Sequence, residues 1–211
     1  MLSFVGGVLL SPYKMATRTD FCPPNKERLV MSNSYKDKVV QHSLCDNVLE
    51  PILTKSFIYD NYASQVGKGT DLGLSRLTEF LRKYYRQHKS ADGWVLKCDI
   101  RKYFYNINHG VLKSLLRKHI SCSDTLWLLD MIIDSTEGEV GIPIGNQSSQ
   151  LFALLYLNGL DHYIKEKLGI KFYGRYMDDF YLIHEDKEYL KNCLREIIAY
   201  VGNLGLELNE K

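Results

Sequence analysis

The sequence has little of what marks several protein classes. Its five cysteines are scattered, odd in number and without a Cys-x-x-Cys pair, so neither a disulfide framework nor a zinc site is expected, and a reducing cytoplasm fits best. The apolar start from Leu2 to Leu10 is too short to span a membrane and has no basic leader. Because the net charge is only +2, bulk charge gives no evidence for a polyanionic partner.

What is present is a chain of 211 residues that is 45% hydrophobic, which is enough for one domain, or for one domain with a small lobe. The hydrophobic pattern predicts strands in pairs separated by helices, which indicates an α+β fold with helices on one face of an antiparallel sheet. Ser148 or Ser149 is expected to cap a long apolar helix. The predicted helices span 35–53, 71–88, 109–119, 124–134, 149–168 and 187–202, and the predicted strands span 26–31, 94–99, a hairpin at 170–184, and 205–211.

Three aspartates stand at the ends of predicted strands. Asp178 and Asp179 lie side by side where two aromatic strands meet at a tight turn, and Asp99 closes the strand that begins at Trp94. A carboxylate pair at such a turn costs free energy unless a cation is bound. Turn formation alone also favours aspartate, but a third carboxylate on another strand favours a divalent-metal site that handles phosphates.

Several ordered motifs resemble those of reverse transcriptases. Tyr176-Met-Asp-Asp179 resembles their signature, and the stretch from Asp99 to His109 looks like their first catalytic motif. The stretch Gly141–Phe152 resembles the family motif that lies between the two aspartate sites, and Gly205–Lys211 resembles the motif that follows the hairpin. Matches to the fingers region are Lys26-Glu-Arg28, Val39-Val-Gln41, Leu49-Glu-Pro51, Tyr62-Ala63 and Gly67-Lys-Gly-Thr70.

The resemblance covers about residues 24–211 and implies the architecture of a polymerase right hand. Fingers are expected over residues 26–92 and the palm over residues 93–211, after an N-terminal segment, residues 1–25, of uncertain structure. No thumb is visible, so we expect this chain to be a piece of a longer enzyme, encoded by a bacterium or a phage and cytoplasmic.

The activity that the resemblance implies is that of an RNA-directed DNA polymerase, a nucleotidyltransferase. Asp99 and Asp178 would hold two Mg²⁺ ions, for which Mn²⁺ can substitute, with the backbone carbonyl of Ile100 as a further metal ligand and Asp179 as a third, supporting carboxylate. The implied partners are an RNA template with a DNA or RNA primer, deoxynucleoside triphosphates and, optionally, an accessory nucleic-acid-binding protein.

Further residues match positions that contact the incoming nucleotide. Lys26 and Arg28 would hold its triphosphate. Phe104, or its rival Tyr103, would act as a steric gate that excludes a ribose 2′-hydroxyl.

The middle motif adds two more nucleotide-binding positions. Gly145 would let the backbone approach the nascent base pair, and Gln150 would also bind the nucleotide. Lys211 would protonate the leaving pyrophosphate. Arg175 is expected to be a surface cation, with a phosphate contact as the alternative.

One departure from the family pattern narrows the resemblance. Ile144 stands where many reverse transcriptases carry Gln, and the Ile-Gly-x-x-x-Ser-Gln form resembles the enzymes of bacterial diversity-generating retroelements. Retron and phage-defence reverse transcriptases stay open as alternatives, as does a non-catalytic RNA-binding module. A palm-type nucleotide cyclase is disfavoured because the sequence has no Gly-Gly-Asp/Glu turn.

Overall fold

A three-stranded antiparallel sheet organises the fold. The computed structural model describes the backbone of residues 14–18 and 28–32, and the backbone and side chains of residues 34–209. The sheet has the order β3-β5-β4, with β3 at Trp94–Asp99, β4 at Phe172–Tyr176 and β5 at Asp179–His184. A separate antiparallel pair joins β1, Lys14–Arg18, to β2, Arg28–Ser32. The strand β1 lies where the sequence pattern predicted nothing.

The helices follow the predicted positions closely, which confirms the α+β class. The predicted helix 35–53 is present in three parts, α1 at Tyr35–Leu44, a π-helical turn at Cys45–Leu49, and α2 at Glu50–Leu53. The others are α3 (Thr70–His88), α4 (Tyr103–Asn106), α5 (His109–Arg117), α6 (Ser123–Ile133), α7 (Gln147–Tyr156), α8 (Asn158–His162) with a π-helical turn at Tyr163–Lys167, and α9 (Lys187–Asn203). No helix in the described ranges is both long and apolar enough to cross a membrane.

One face of the sheet packs into the main core. Because side chains alternate along a strand, Cys98, Tyr173, Phe180 and Leu182 all point to this face, and all are buried. They share a single core with the apolar sides of α5, α7 and α9, the three helices predicted to back the sheet. These helices fix the sheet from behind and leave the other face to be covered separately.

The second face is covered at one end only. Phe172 and Ile183 lie there, opposite each other in register, and they pack against Phe80 and Tyr84 of α3. The other end of the same face carries the last residues of β3 and the first residue of β5. Helix α3 therefore shields the far end of the sheet and leaves the aspartate end open.

The predicted serine cap of the long apolar helix is wrong. Asn146 occupies the N-cap position with an extended backbone, and α7 begins at Gln147. Ser148 is fully buried, and its hydroxyl donates a hydrogen bond to Gln41 Oε1 of α1 at 3.0 Å. Ser149 is also fully buried. Both serines lie inside the helix, and the hydroxyl of Ser148 is taken up by the contact between α1 and α7.

A fourth segment pairs with the outer edge of β4. The backbone N–H of Arg175 donates to Asp60 O and that of Tyr62 donates to Arg175 O, each at 2.9 Å. The Tyr62 ring then lies over Gly174. A Cβ atom at Gly174 would come within 2.7 Å of the hydroxyls of Tyr62 and Tyr181, and within 2.8 Å of a Tyr62 ring carbon. Only glycine leaves room for this buried ring.

We expect Gly174→Ala to lower the free energy of unfolding by about 1–3 kcal/mol, because the added methyl group overpacks the contact with Tyr62. Urea denaturation followed by circular dichroism measures the change. Gly202→Ala is the matched control, since no atom lies within 4 Å of a Cβ at that position in α9 and alanine favours a helix. Equal stability of the two variants would show that the Tyr62 approach does not constrain the sheet edge.

Candidate active site

The turn between β4 and β5 consists of Met177 and Asp178 alone. Met177 has φ +58°, a left-handed conformation that is uncommon for a residue with a side chain. A positive φ at the first of two turn residues is a feature of the primed turns that match the twist of paired strands. The turn thus places Asp178 between the strand ends, where its side chain is half-buried.

The register of the sheet brings the aspartates together. Asp99 at the end of β3 lies directly opposite Asp179 at the start of β5, so both side chains point to the open face. Like charges in directly opposite positions repel each other. Lys97 Nζ lies 3.3 Å from Asp179 Oδ1, and Asn209 Nδ2 donates a hydrogen bond to Asp99 Oδ2. These contacts offset part of the repulsion, and because they are exposed to solvent each contributes little to stability.

Asp178 adds a third negative charge next to this pair. Burial raises the pKa of Tyr103 well above its usual value, and among smaller contributions the Asp178 carboxylate raises it further. Tyr103 follows Asp99 by four residues, at the start of α4. Asp178 therefore lies within electrostatic range of the β3–α4 segment.

Arg175 is not a surface cation and does not offer its charge to phosphate, so both sequence-based expectations for it are wrong. Its side chain is fully buried and pairs with the fully buried Asp161 of α8. The guanidinium Nε and Nη2 donate to Asp161 Oδ1 and Oδ2 at 2.7 and 2.6 Å. Nη1 donates to the carbonyl of Met177 at 2.8 Å, and Nη2 also donates to Leu154 O at 3.2 Å.

This buried pair ties the turn of Met177 and Asp178 to the core. Burial by itself would lower the pKa of Arg175, but the Asp161 carboxylate outweighs that effect and the pKa is raised. The guanidinium therefore stays charged and keeps its bond to the turn carbonyl. Tyr173 Oη also donates to Asp161 Oδ1, at 2.5 Å, so the acceptor has little freedom to move away.

Sequence reasoning missed Arg175 and Asp161 as a functional pair. The signal was present, because each charge stands within an apolar run, Asp161 in the predicted helix 149–168 and Arg175 in an aromatic strand. Charged residues are almost never fully buried unless they are paired. Two single charges in two core-forming segments therefore favour an ion pair over two surface charges.

The two rivals for the steric gate have different environments. Tyr103 is buried, and its hydroxyl donates to Ala153 O at 2.5 Å. Phe104 is half-buried and packs edge-on against Tyr103, with ring centroids 5.7 Å apart. Of these two residues, Phe104 is the one whose ring surface a ligand can contact.

The loop of the middle motif is fixed to the same segment. Ile142 N–H donates to Phe104 O at 2.9 Å, and Gly141 N–H donates to Ile107 O at 2.8 Å. Gly145 is exposed at the end of this loop with φ +114°, a conformation that favours glycine. Gln150 follows on the first turns of α7 and is half-buried.

The basic residues predicted to contact the triphosphate and the pyrophosphate cannot be placed. Lys26 and Lys211 lie outside the described residues, and Arg28 lies in β2, where only the backbone is described. Of the predicted site residues, the structure brings together Asp99, Asp178 and Asp179, and Phe104 follows Asp99 by five residues on α4.

The oxygen donors at the strand ends suit a hard cation, although they form an incomplete set. Within residues 34–209, no three His, Cys, Asp or Glu side chains are arranged to hold a metal ion by themselves. Carboxylates such as Asp99 and Asp178, and a peptide carbonyl such as that of Ile100, are the ligands Mg²⁺ prefers. Mg²⁺ usually completes one or two protein carboxylates with water and substrate phosphates. The residues therefore fit a magnesium site that a phosphorylated substrate completes.

The sequence of this chain is similar to those of known proteins. The family model for reverse transcriptase (RNA-dependent DNA polymerase) matches residues 17–211. The putative COX1/OXI3 intron 2 protein of Saccharomyces cerevisiae is 27% identical over 147 residues, a match that covers 65% of this chain and 16% of that protein.

Solved structures with the same fold include two telomerases. Apo telomerase from Candida tropicalis, truncated from its C-terminal domain, has a TM-score of 0.68 at 15% identity, covering 93% of this chain and 48% of that one. Telomerase from Candida albicans with a TWJ fragment of telomeric RNA has a TM-score of 0.68 at 11% identity, covering 94% and 40%. The present chain thus spans less than half the length of these relatives.

We expect Arg175→Met to lower the free energy of unfolding by about 3–5 kcal/mol, because it leaves the buried carboxylate of Asp161 without its partner. Urea denaturation measures the loss. Arg195→Met on the exposed side of α9 is the control and should change stability by no more than about 0.5 kcal/mol.

The double variant Arg175→Met with Asp161→Met should recover much of that loss, since replacing both buried charges with apolar groups is often neutral. A single variant as stable as the control would contradict the pairing.

Proposed function

The chain belongs to the reverse transcriptase family, and on that premise we propose that it is the fingers and palm of an RNA-directed DNA polymerase. It would add deoxynucleotides to the 3′-hydroxyl of a primer on an RNA template. The observation that carries this proposal is the placement of Asp99 directly opposite Asp179, with Asp178 in the adjoining turn. Phosphoryl transfer needs positioning and charge neutralisation more than covalent catalysis, and a group of carboxylates on an open sheet face suits that need.

The residues would divide the reaction between them. Asp99, Asp178 and the carbonyl of Ile100 would hold two magnesium ions, which, when bound, would supply charge neutralisation at the attacking and leaving oxygens. Asp179 would support the site from β5 while Lys97 balances part of its charge. The Arg175–Met177 bond would keep the turn, and with it Asp178, in place as the primer hydroxyl attacks the α-phosphate and pyrophosphate leaves.

Selection of the nucleotide would depend on the segment after β3 and on the middle motif. Phe104 would lie under the sugar, and Gly145 and Gln150 would border the base pair. Lys26 and Arg28 would hold the triphosphate, and the template would be held largely through its backbone.

Within the family we propose the diversity-generating retroelement branch, on the motif around Ile144. The relatives found by comparison are fungal, so they lend this narrower assignment no support. Retron or phage-defence reverse transcription is the alternative within the same chemistry. An accessory nucleic-acid-binding protein would be compatible with any of these settings.

We expect Asp99→Asn and Asp178→Asn each to reduce magnesium-dependent primer extension on an RNA template by about 1,000-fold, since lost metal binding removes several kcal/mol of transition-state stabilisation. The assay uses the longest natural reading frame that contains this chain. Asp124→Asn, an exposed carboxylate on α6, is the control and should extend normally.

Full activity of either active-site variant would contradict the metal assignment. A well-folded full-length protein that binds RNA but never extends a primer would instead favour the non-catalytic RNA-binding module. Sequencing the products tests the narrower proposal. Errors concentrated at template adenines would support the retroelement branch, and an even error spectrum would contradict it.

We expect Phe104→Val to weaken discrimination against ribonucleotides by about 10- to 200-fold, because removing a ring from a pocket changes selectivity by about 1–3 kcal/mol. The measurement is kcat/KM for matched ribo- and deoxynucleotides. Tyr103→Phe is the control, since it keeps the ring and loses only the buried hydroxyl. Unchanged discrimination in Phe104→Val would shift the gate assignment to Tyr103.

A further inference from the structure

A basic cavity of about 660 Å³ lies between α3, the π-helical turn Tyr163–Lys167 and the start of β4. We call it the basic groove. Arg76, Lys83 and Gln87 lie on the side of α3 that faces it, together with Phe80, because these positions recur every three or four residues. The five cationic side chains that line the groove are Arg76, Lys83, Arg86, Lys165 and Lys171.

Two of these cations are fixed by a buried carboxylate. Asp60 is 4% exposed and accepts hydrogen bonds from Arg76 Nε at 2.9 Å and from Lys165 Nζ at 2.6 Å. Burial alone would raise the pKa of Asp60, but hydrogen bonds from Arg76 and Lys165 outweigh it and the pKa is lowered. The ionised Asp60 thus holds one cation from each side of the groove in a defined place.

The remaining cations leave the groove with excess positive charge. Glu79 pairs with Lys83 at 2.6 Å and also with Arg76, and all of these side chains are partly exposed. Counting Asp60 and Glu79 against the five cations leaves an excess of three positive charges. Arg86 and Lys171 are exposed, so the excess faces solvent and is open to a ligand.

Aromatic rings form the floor beneath these charges. Phe80 and Phe172 pack with ring centroids 5.6 Å apart. The Arg76 guanidinium lies 4.8 Å from the centroid of Phe80, and Lys165 Nζ lies 5.7 Å from it. Because Phe80 and Phe172 are only 4% and 9% exposed, the rings support the cations from below, and the cations are the groups that an anionic nucleic-acid strand would contact.

The dimensions favour an extended polyanion over a single anion. From Arg76 to Arg86 the groove follows α3 for ten residues, which is about 15 Å of helix. The groove also borders the sheet whose open face carries the aspartates. Along β5 the separation from Asp179 to Ile183 is about 13 Å, so one strand of nucleic acid could contact both places.

We propose that the basic groove binds the phosphate backbone of a single-stranded RNA segment outside the active site, an inference that rests on the proposed function. The groove would contribute affinity without sequence preference, because its cations would contact phosphates, which carry no sequence information.

The test removes the three cations that do not bond to Asp60, in the triple variant Lys83→Gln, Arg86→Gln and Lys171→Gln of the full-length protein. Binding of a fluorescently labelled single-stranded RNA is measured by anisotropy across a series of salt concentrations. Because each lost phosphate contact lowers the slope of log K against log salt by about 0.7, we expect a slope reduction of about 2 and an affinity about 10- to 100-fold weaker at 0.1 M salt.

The matched control is the triple variant Lys118→Gln, Lys191→Gln and Arg195→Gln. It removes the same charge from exposed positions at the end of α5 and on α9, behind the sheet. We expect its salt slope to equal that of the wild type. Equal slopes for both triple variants would overturn the proposal.

The outcome separates this inference from the proposed function. If the groove variant keeps the wild-type salt dependence and the wild type extends primers, RNA binding by the groove is contradicted and the polymerase activity is supported. If the groove variant loses RNA binding and the wild type does not extend primers, RNA binding by the groove is supported and the polymerase activity is contradicted. A further measurement adds inorganic phosphate at millimolar concentration. If phosphate abolishes RNA binding equally in the wild type and the control variant, the groove binds a single anion, and the proposed extended contact with RNA is contradicted.

Discussion

The buried ion pair between Arg175 and Asp161 is the interaction on which the arrangement of the site depends. Taking two charges out of water is costly, and a buried pair seldom adds net stability compared with apolar residues of similar size. Its value here is geometric. One guanidinium joins α7, α8 and β4 to the carbonyl of Met177, so the position of the turn is determined by the core and not by the exposed strand ends.

The two faces of the sheet explain why the aspartates can be charged and accessible at the same time. One face is buried against helices and supplies rigidity. The other is covered by α3 at its far end only, and the aspartates occupy the open end. A sheet covered completely on both faces would have to desolvate these carboxylates, while a sheet without α3 would expose the apolar side chains of Phe172 and Ile183 to water. Helix α3 buries the apolar side chains at one end of this face and leaves the carboxylates at the other end in contact with solvent.

Much of this arrangement could be predicted from sequence because it depends on local pattern. The strand Trp94–Asp99 and the helices are where apolar periodicity and breakers put them, and Asp99, Asp178 and Asp179 were recognisable from ordered motifs. What could not be predicted depends on which way a residue faces. Arg175 stands in an aromatic strand, which favours burial, but its partner Asp161 and its bond to Met177 follow only from the fold. The same holds for Ser148, whose partner Gln41 lies far away along the chain.

The left-handed backbone at Met177 has a consequence for how this site can change in evolution. A residue with a side chain adopts this conformation at a cost of about 1–2 kcal/mol, glycine adopts it freely, and branching at Cβ makes the cost greatest. Because Arg175 holds the carbonyl of this residue, the turn has little freedom to relax when its side chain changes. Sequence drift at position 177 therefore acts on the fold's stability and strains the turn that carries Asp178. Under the proposed function, a single replacement there would alter catalysis while Asp99, Asp178 and Asp179 all stay in the sequence.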